Sequence, residues 1–357
     1  MSAAVERWRP RMVLCGEWRV GVYEAALAEG FGQSGYEVIP FETSAWLGDT
    51  LACKIQKRLL AGPGLDACGR AFHDALRQAR PDVVFLRLPQ FLPPSEIALA
   101  RRELPAACFV SYCNDNPYED GRRWRLWRRY HRTVRLCDVN FFFRVDNVLS
   151  AQYEGVPRPR LAPPYYTEGL HRPLADVLPE YRGDVVFAGH FEPDGRHRFI
   201  EALLDAGIEV RVYGTGWERA PTGVTRRLSP IRPADGEEYV RVLNGARVAL
   251  AFLSRLNRDY WTSRCMEIPA CGSAMAAQRN PVLEEIFEPQ REAVYFDTPR
   301  ELVEAVRELL RNPAARDALA ANGRKKCLSR GFSNIAVARS MAREFAAGWE
   351  SRGMAAA

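Results

Sequence analysis

Apolar runs of four to six residues recur along the chain, each followed by a loop and then by a longer segment with helical spacing. In the N-terminal half, Arg11–Cys15, Tyr36–Phe41, Pro81–Leu86, Ala107–Ser111 and Val139–Phe143 read as strands, with a helix near Tyr23–Gly30. The rhythm restarts at Asp184–Ala188 and continues through Glu209–Tyr213, Val248–Phe252, Ser273–Ala277 and Ala293–Phe296. Runs this short and this uniformly apolar suit strands buried on both faces, and their alternation with helices predicts parallel sheets. The expected class is therefore α/β, with two Rossmann-like, doubly wound domains. Pro157 to Pro179 holds six of the 24 prolines and reads as a connection. The domains predicted around it are 1–175 and 180–332, followed by a last helix over 333–350.

A chain of 357 residues, 47% hydrophobic and 26% charged, has apolar material for two cores. Its net charge of +6 comes from 46 arginines and only four lysines. Nine cysteines, an odd number without any C-x-x-C pair, predict reduced thiols rather than disulfides or zinc. The five histidines also lack metal spacing. No apolar run approaches the roughly 20 residues of a membrane span, and MSAAVERWRP is not a signal sequence. A cytoplasmic location, peripheral at most to the inner face of the membrane, is expected.

The most informative stretch is Val248 to Gln278, where an apolar run leads into Asn257, Arg258, Asp259, Thr262, Ser263 and Arg264. A short helical turn carrying Glu267 follows, ending at Pro269 and Gly272. Ligands of open α/β sheets gather where strands end and helices begin, and helix N-termini suit phosphate. The order Asn-Arg-Asp, Thr-Ser-Arg, Glu-Ile-Pro-Ala-Cys-Gly resembles the nucleotide-sugar end of group 1-like GT-B glycosyltransferases, most closely the CgeB-like branch. The likeness runs from about Asp184 to Phe332 and is thinner in the N-terminal half. It implies two domains around a cleft, the last helix returning to the first domain, and a donor site on the second. Seven residues separate Asp259 from Glu267. By the resemblance Glu267 holds the ribose hydroxyls and Asp259 stands for the first of two glutamates near the donor sugar, one methylene shorter.

A departing diphosphate calls for preorganised positive groups and N–H or O–H donors. Arg264 and Arg258 are the candidates, assisted by Thr262 and Ser263; an arginine paired with a neighbouring acid is the plainer reading of Arg264. In the loop after Asp184–Ala188, Gly189 would let backbone approach the donor, Arg196 would reach phosphate, and His190 is either a loop hydrogen-bonder or a catalyst. Gly214 and Gly216 form either a partial phosphate loop or a tight turn. On the acceptor side, Glu17, Trp18 and Arg19 combine a carboxylate, an aromatic platform and a cation, while Asn114 and Asp115 follow a buried strand, where an Asx-turn explains them equally well. If the sugar is inverted, Asp115 or Glu17 would be the base.

Residues 121–135 carry seven arginines among Trp124, Trp127 and Tyr130. A helix with core aromatics and a solvated basic face is the favoured reading, contact with an anionic membrane the functional one. No nucleic-acid partner is expected. The chain thus reads as a metal-independent glycosyltransferase without resident cofactor, using a UDP- or GDP-linked sugar and a glycan, lipid-linked or protein acceptor, with polysaccharide biosynthesis as its setting. A nucleotide-sugar 2-epimerase and a non-catalytic nucleotide-sugar-binding protein are the alternatives.

Overall fold

The computed structural model describes residues 9–18, 23–48, 50–119, 124–228 and 230–350. The chain forms two compact units, one drawn from Met1–Pro163 and Asn334–Ala357, the other from Pro164–Ser333.

The sheet of the first unit has six parallel strands: β1 (Arg11–Gly16), β2 (Glu37–Glu42), β3 (Val83–Arg87), β4 (Cys108–Cys113), β5 (Val139–Phe142) and β6 (Pro159–Leu161), in the order β2-β1-β3-β4-β5-β6. Strands β3, β4 and β5 are buried at every position, which is why their sequences show no in–out alternation. The short β6 was not foreseen. It opens on Pro159 and lies at the sheet edge, where a proline costs no ladder hydrogen bond.

The helix Asn334–Glu350 packs on Tyr23–Gln33 within the same unit. Asn334 Nδ2 donates to the Ala26 carbonyl at 2.8 Å, and the rings of Phe31 and Phe345 lie 5.9 Å apart. Gly30 makes the contact possible, since a Cβ there would stand 2.6 Å from that of Ala338.

In the second unit, β7 (Gly183–Ala188), β8 (Val210–Tyr213), β9 (Ala246–Ala251), β10 (Ala274–Gln278) and β11 (Val294–Phe296) form a parallel sheet ordered β11-β10-β9-β7-β8. Its core holds Phe187, Phe199, Phe252, Phe296 and the aliphatic side chains of the flanking helices. The division from the first unit falls at Pro163 and Pro164, inside the proline-rich connection Pro157–Pro179 and ahead of the domain bounds drawn at 175 and 180. Tyr166 pairs with the Phe332 carbonyl at 3.0 Å, and the Leu174 N–H donates to Asn244 Oδ1 at 2.9 Å, tying this segment to the second unit.

Both sheets reverse strand order at one place, between β1 and β3 in the first and between β7 and β9 in the second. The crevice beyond the strand ends at such a reversal is where open α/β sheets hold ligands. In the second unit the loops there are Gly189–Gly195 and Phe252–Ser263.

Candidate functional site

Packing rather than exposed chemistry dominates the loop after β7. Arg196 is 1% exposed, and its guanidinium is engaged at Nε by Asp194 Oδ1 (2.9 Å), at Nη2 by Asp194 Oδ2 (2.6 Å) and Glu192 Oε1 (3.1 Å), and at Nη1 by the His190 carbonyl (2.8 Å). The side chain expected to reach phosphate is thus a clamp inside its own loop. Glu192, itself buried, also accepts from Ser254 Oγ of the β9 loop at 2.5 Å and from His190 Nε2 at 3.0 Å. Burial works to raise the Glu192 carboxyl, but the His190 hydrogen bond, the Arg196 charge and the Ser254 hydroxyl outweigh it and hold it at about 2. His190 is half exposed, with Nε2 turned to Glu192.

Gly189 and Gly214 serve close approach of backbone. The Gly189 N–H donates to the Tyr213 carbonyl at 2.8 Å, and a Cβ on Gly214, whose φ is +139°, would lie 2.2 Å from the Gly189 oxygen. Gly216, with φ +79°, starts the short turn of Trp217–Arg219, and Trp217 Nε1 donates to the Gly189 carbonyl at 3.0 Å. The pair of glycines makes a tight turn buttressing the β7 loop.

The β9 loop brings in the charges. Arg258 is exposed, with φ +54°, and with half-buried Asp259 lines a hollow of about 370 Å³ that also includes Gln278, Asn280 and Asp297. The Asp259 N–H donates to the Ser254 carbonyl at 2.9 Å, anchoring this turn to the residue that holds Glu192. Thr262 is buried, its hydroxyl 3.8 Å from Cys265 Sγ, and half-buried Ser263 precedes the helix Arg264–Ala270.

Arg264 lies with its guanidinium carbon 5.6 Å from the Phe187 ring centroid. A Cβ on Gly189 would meet Phe187 at 2.6 Å and Arg264 Nη1 at 3.2 Å, so the glycine leaves room for the cation. The Arg264 Nε is buried with no hydrogen-bond partner, and among the described residues the guanidinium has no ion-pair partner. It is therefore not the paired surface arginine of the plainer reading.

One turn further on, Glu267 is buried and accepts from the Tyr239 hydroxyl at 2.7 Å through Oε2. Burial, then the Glu267 charge, push the Tyr239 phenol well above its ordinary range, with Arg264 opposing, so both charges act on one hydroxyl. The His171 ring meets the Tyr239 ring edge-on at 5.9 Å, and its Nδ1 accepts from the Thr167 N–H at 2.8 Å, which assigns the proton of the neutral ring to Nε2. Burial depresses His171, more than the nearby Glu267 raises it. Arg264 and Asp259 likewise both act on the Cys265 thiol, which burial raises. This segment thus gathers a cation with no ion-pair partner among the described residues, a carboxylate held through Oε2 by Tyr239, and Asp259. Among the described residues no three His, Cys, Asp or Glu side chains are placed to hold a metal.

At the strand-order reversal of the first unit, buried Glu24 and Arg87 form an ion pair of 2.7 Å. The Glu17 N–H donates to Glu24 Oε1 at 3.1 Å, and Arg87 Nη2 reaches Asn114 Oδ1 at 3.4 Å, so the pair ties the β1 loop to the β4 loop. The Glu17 side chain is exposed. Trp18 is half-buried, with φ +56° and Nε1 donating to the Leu14 carbonyl at 3.3 Å. Arg19 lies outside the described residues. The Asx-turn after β4 belongs to Asn116, whose Oδ1 accepts from the Tyr118 N–H at 3.1 Å; half-buried Asp115 precedes it and opens no helix. In the helix Trp124–Val134, Trp127 and Tyr130 are buried while Arg125, Arg128 and Arg132 are exposed, so the described aromatics face the core and are not offered to a membrane. Arg122 and Arg123 lie outside the described residues.

Residues 196–343 match the glycosyl transferase-like family. The structure is similar to sucrose-phosphate synthase from Thermosynechococcus elongatus, with a TM-score of 0.68 and 15% identity, covering 96% of this chain and 100% of that one. It is also similar to HepE of Anabaena, solved in complex with UDP-glucose (TM-score 0.64, 11% identity, 95% of this chain and 100% of that one). The fold is GT-B. A putative UDP-N-acetylglucosamine 2-epimerase from Listeria monocytogenes is similar as well, at TM-score 0.59 and 10% identity over 96% of this chain and 98% of that one. No curated protein matches the chain by sequence.

Within this GT-B chain, sequence reasoning passed over Tyr239, His171, Glu192, Ser254, Glu24 and Arg87. Arg87 and Glu24 left a signal, since a charge that ends an otherwise apolar buried strand needs a partner. Tyr239 left none, because it falls on the apolar face of the helix Gly236–Gly245 beside Val240 and Val242 and reads as core.

Proposed function

We propose that the second unit binds the nucleoside diphosphate of a nucleotide sugar and that the protein transfers the sugar to an acceptor. The observation that carries this reading is Arg264, a cation stacked on Phe187 with a buried, unpartnered Nε, one helical turn from a carboxylate oriented by Tyr239. A diphosphate would supply the missing acceptor and charge, and the ribose hydroxyls would donate to Glu267 Oε1. Arg258, Thr262 and Ser263 line the approach, and Asp259 stands on the side of the donor sugar. Arg196, Gly189, Gly214 and Gly216 hold the loop that frames the site. Diphosphate charge is met by arginine, so the reaction proceeds without a metal. A base on the first unit, Asp115 or Glu17, is required only for inversion. Glu17, Trp18, Arg19 and Asn114 would receive the acceptor, a glycan, a lipid-linked sugar or a protein.

The likeness to a putative 2-epimerase over almost the whole chain makes donor isomerisation the second reading. Calorimetric titration of UDP-, GDP-, dTDP- and CMP-sugars into wild type and Glu267→Ala tests the donor site, beginning with UDP-glucose because HepE is solved with it. One nucleotide class binding the wild type and at least tenfold more weakly the variant is expected; no binding of any would overturn the proposal. Product analysis with the nucleotide that binds separates the readings, since an epimerase converts it without acceptor.

A further inference from the structure

The helix Leu51–Leu59 is mounted with its apolar side outward. Leu51, Ile55 and Leu59 recur at i, i+4 and i+8 and are 76%, 49% and 58% exposed, and no residue of this helix is buried. Surface helices ordinarily turn such a stripe to the core. Here the polar side is what the protein holds. Gln56 Oε1 accepts from the Gly64 N–H at 2.7 Å, Lys57 Nζ lies 5.8 Å from the Phe91 ring centroid, and Arg129 Nη1 donates to the carbonyl of Leu60, the C-cap, at 3.1 Å. Thr50 Oγ1 caps the other end at the Cys53 N–H, so the helix is a finished element rather than a frayed loop.

The charged side chains on the helix itself are of one sign. Exposed Lys54 and Arg58 flank it, and residues 50–65 contain no acidic side chain. Arg125, Arg128 and Arg132 are exposed on the helix whose Arg129 is fastened to Leu60. Two copies pairing through this face about a twofold axis would bring Lys54 and Arg58 against their own counterparts, which disfavours a self-contact. An apolar stripe bordered by cations fits instead a surface that is apolar inside and negative at its rim.

We propose that this face docks the protein on an anionic phospholipid bilayer. Leu51, Ile55 and Leu59 enter the boundary between headgroups and acyl chains while Lys54 and Arg58 meet lipid phosphates. This moves membrane contact from the aromatics of 121–135 to an element that does expose apolar side chains, and it stands independently of the donor site.

The test is co-sedimentation with vesicles of phosphatidylcholine alone and of phosphatidylcholine with phosphatidylglycerol. Wild type is expected to bind the mixed vesicles at least tenfold more tightly, with affinity falling as salt rises. Replacing Leu51, Ile55 and Leu59 together by Gln, a good helix former, should weaken binding tenfold or more, as should Lys54→Glu with Arg58→Glu. All five side chains are exposed, so both variants should keep the wild-type circular dichroism and nucleotide affinity. The proposal is overturned by wild type that fails to sediment with the mixed vesicles, by equal binding to both compositions, by a triple variant that binds as wild type, or by a concentration-dependent dimer that the triple variant abolishes.

Discussion

Replacing Arg264 by Met should stabilise the free protein and weaken nucleotide binding, a pair of opposite effects that a structural arginine would not give. The Arg264 Nε is buried without a partner, and the guanidinium lies over Phe187 at 5.6 Å. A buried donor left unsatisfied costs about 1–3 kcal/mol, while the cation–π contact given up is worth about 0.5–1 kcal/mol. Methionine keeps an unbranched stem over the ring, so the net gain is about 1 kcal/mol, or roughly 2–4 °C in Tm for a unit of this size. In the complex the variant forfeits a hydrogen bond to a charged acceptor, about 1.5–3 kcal/mol, which is about a 10- to 150-fold rise in Kd. Thermal unfolding without ligand gives the first quantity, and calorimetric titration with the nucleotide sugar that binds wild type gives the second. A Tm lowered by several degrees with unchanged Kd would refute the reasoning and return Arg264 to a packing role.

Arg196→Ala should cost about 3–5 kcal/mol in chemical denaturation, because it strands Asp194 and Glu192 in a buried loop; a loss below 1 kcal/mol would contradict the clamp. Glu192 titrates at about 2 when folded, below its ordinary 4.5, so its contribution to stability is complete above about pH 4.5 and is lost as pH falls towards 2. The acid limb of a Tm–pH profile should accordingly be shallower in Glu192→Gln than in wild type. Gly214→Ala should lower stability by about 2–4 kcal/mol, combining a left-handed φ with a Cβ 2.2 Å from the Gly189 oxygen; a stability equal to wild type would mean that the two loops are not held together as described.

The doubly wound class was readable because each buried strand is a short, uniformly apolar run. Among the described residues, ten of the eleven strands lie within two residues of where those runs place them. The exception, β6, has three residues and a proline, too little pattern for any periodicity to register. Function-bearing loops were legible as segments but not as contacts. The sequence indicates that Arg196 and Arg264 both neighbour strand ends, yet one is enclosed by Asp194 and Glu192 and the other has no ion-pair partner among the described residues, a distinction that depends on which acids share its loop. Tyr239 lies 28 residues from Glu267 and reaches it only because the helix before β9 and the helix Arg264–Ala270 both pack against β9. The outward stripe of Leu51–Leu59 was equally silent, since a 3.6-residue period does not say which way the face is turned.

In the proposed donor site Glu267 and a ribose share hydrogen bonds in the second unit. A double-mutant cycle addresses it directly: calorimetry of wild type and Glu267→Ala, each with the nucleoside diphosphate of the class that binds and with its 2′,3′-dideoxy analogue. Each single change is expected to weaken binding at least tenfold, and the second change to add almost nothing once the first is made. Two effects that simply add would show that Glu267 does not meet the ribose, and would contradict the placement of the donor in this site.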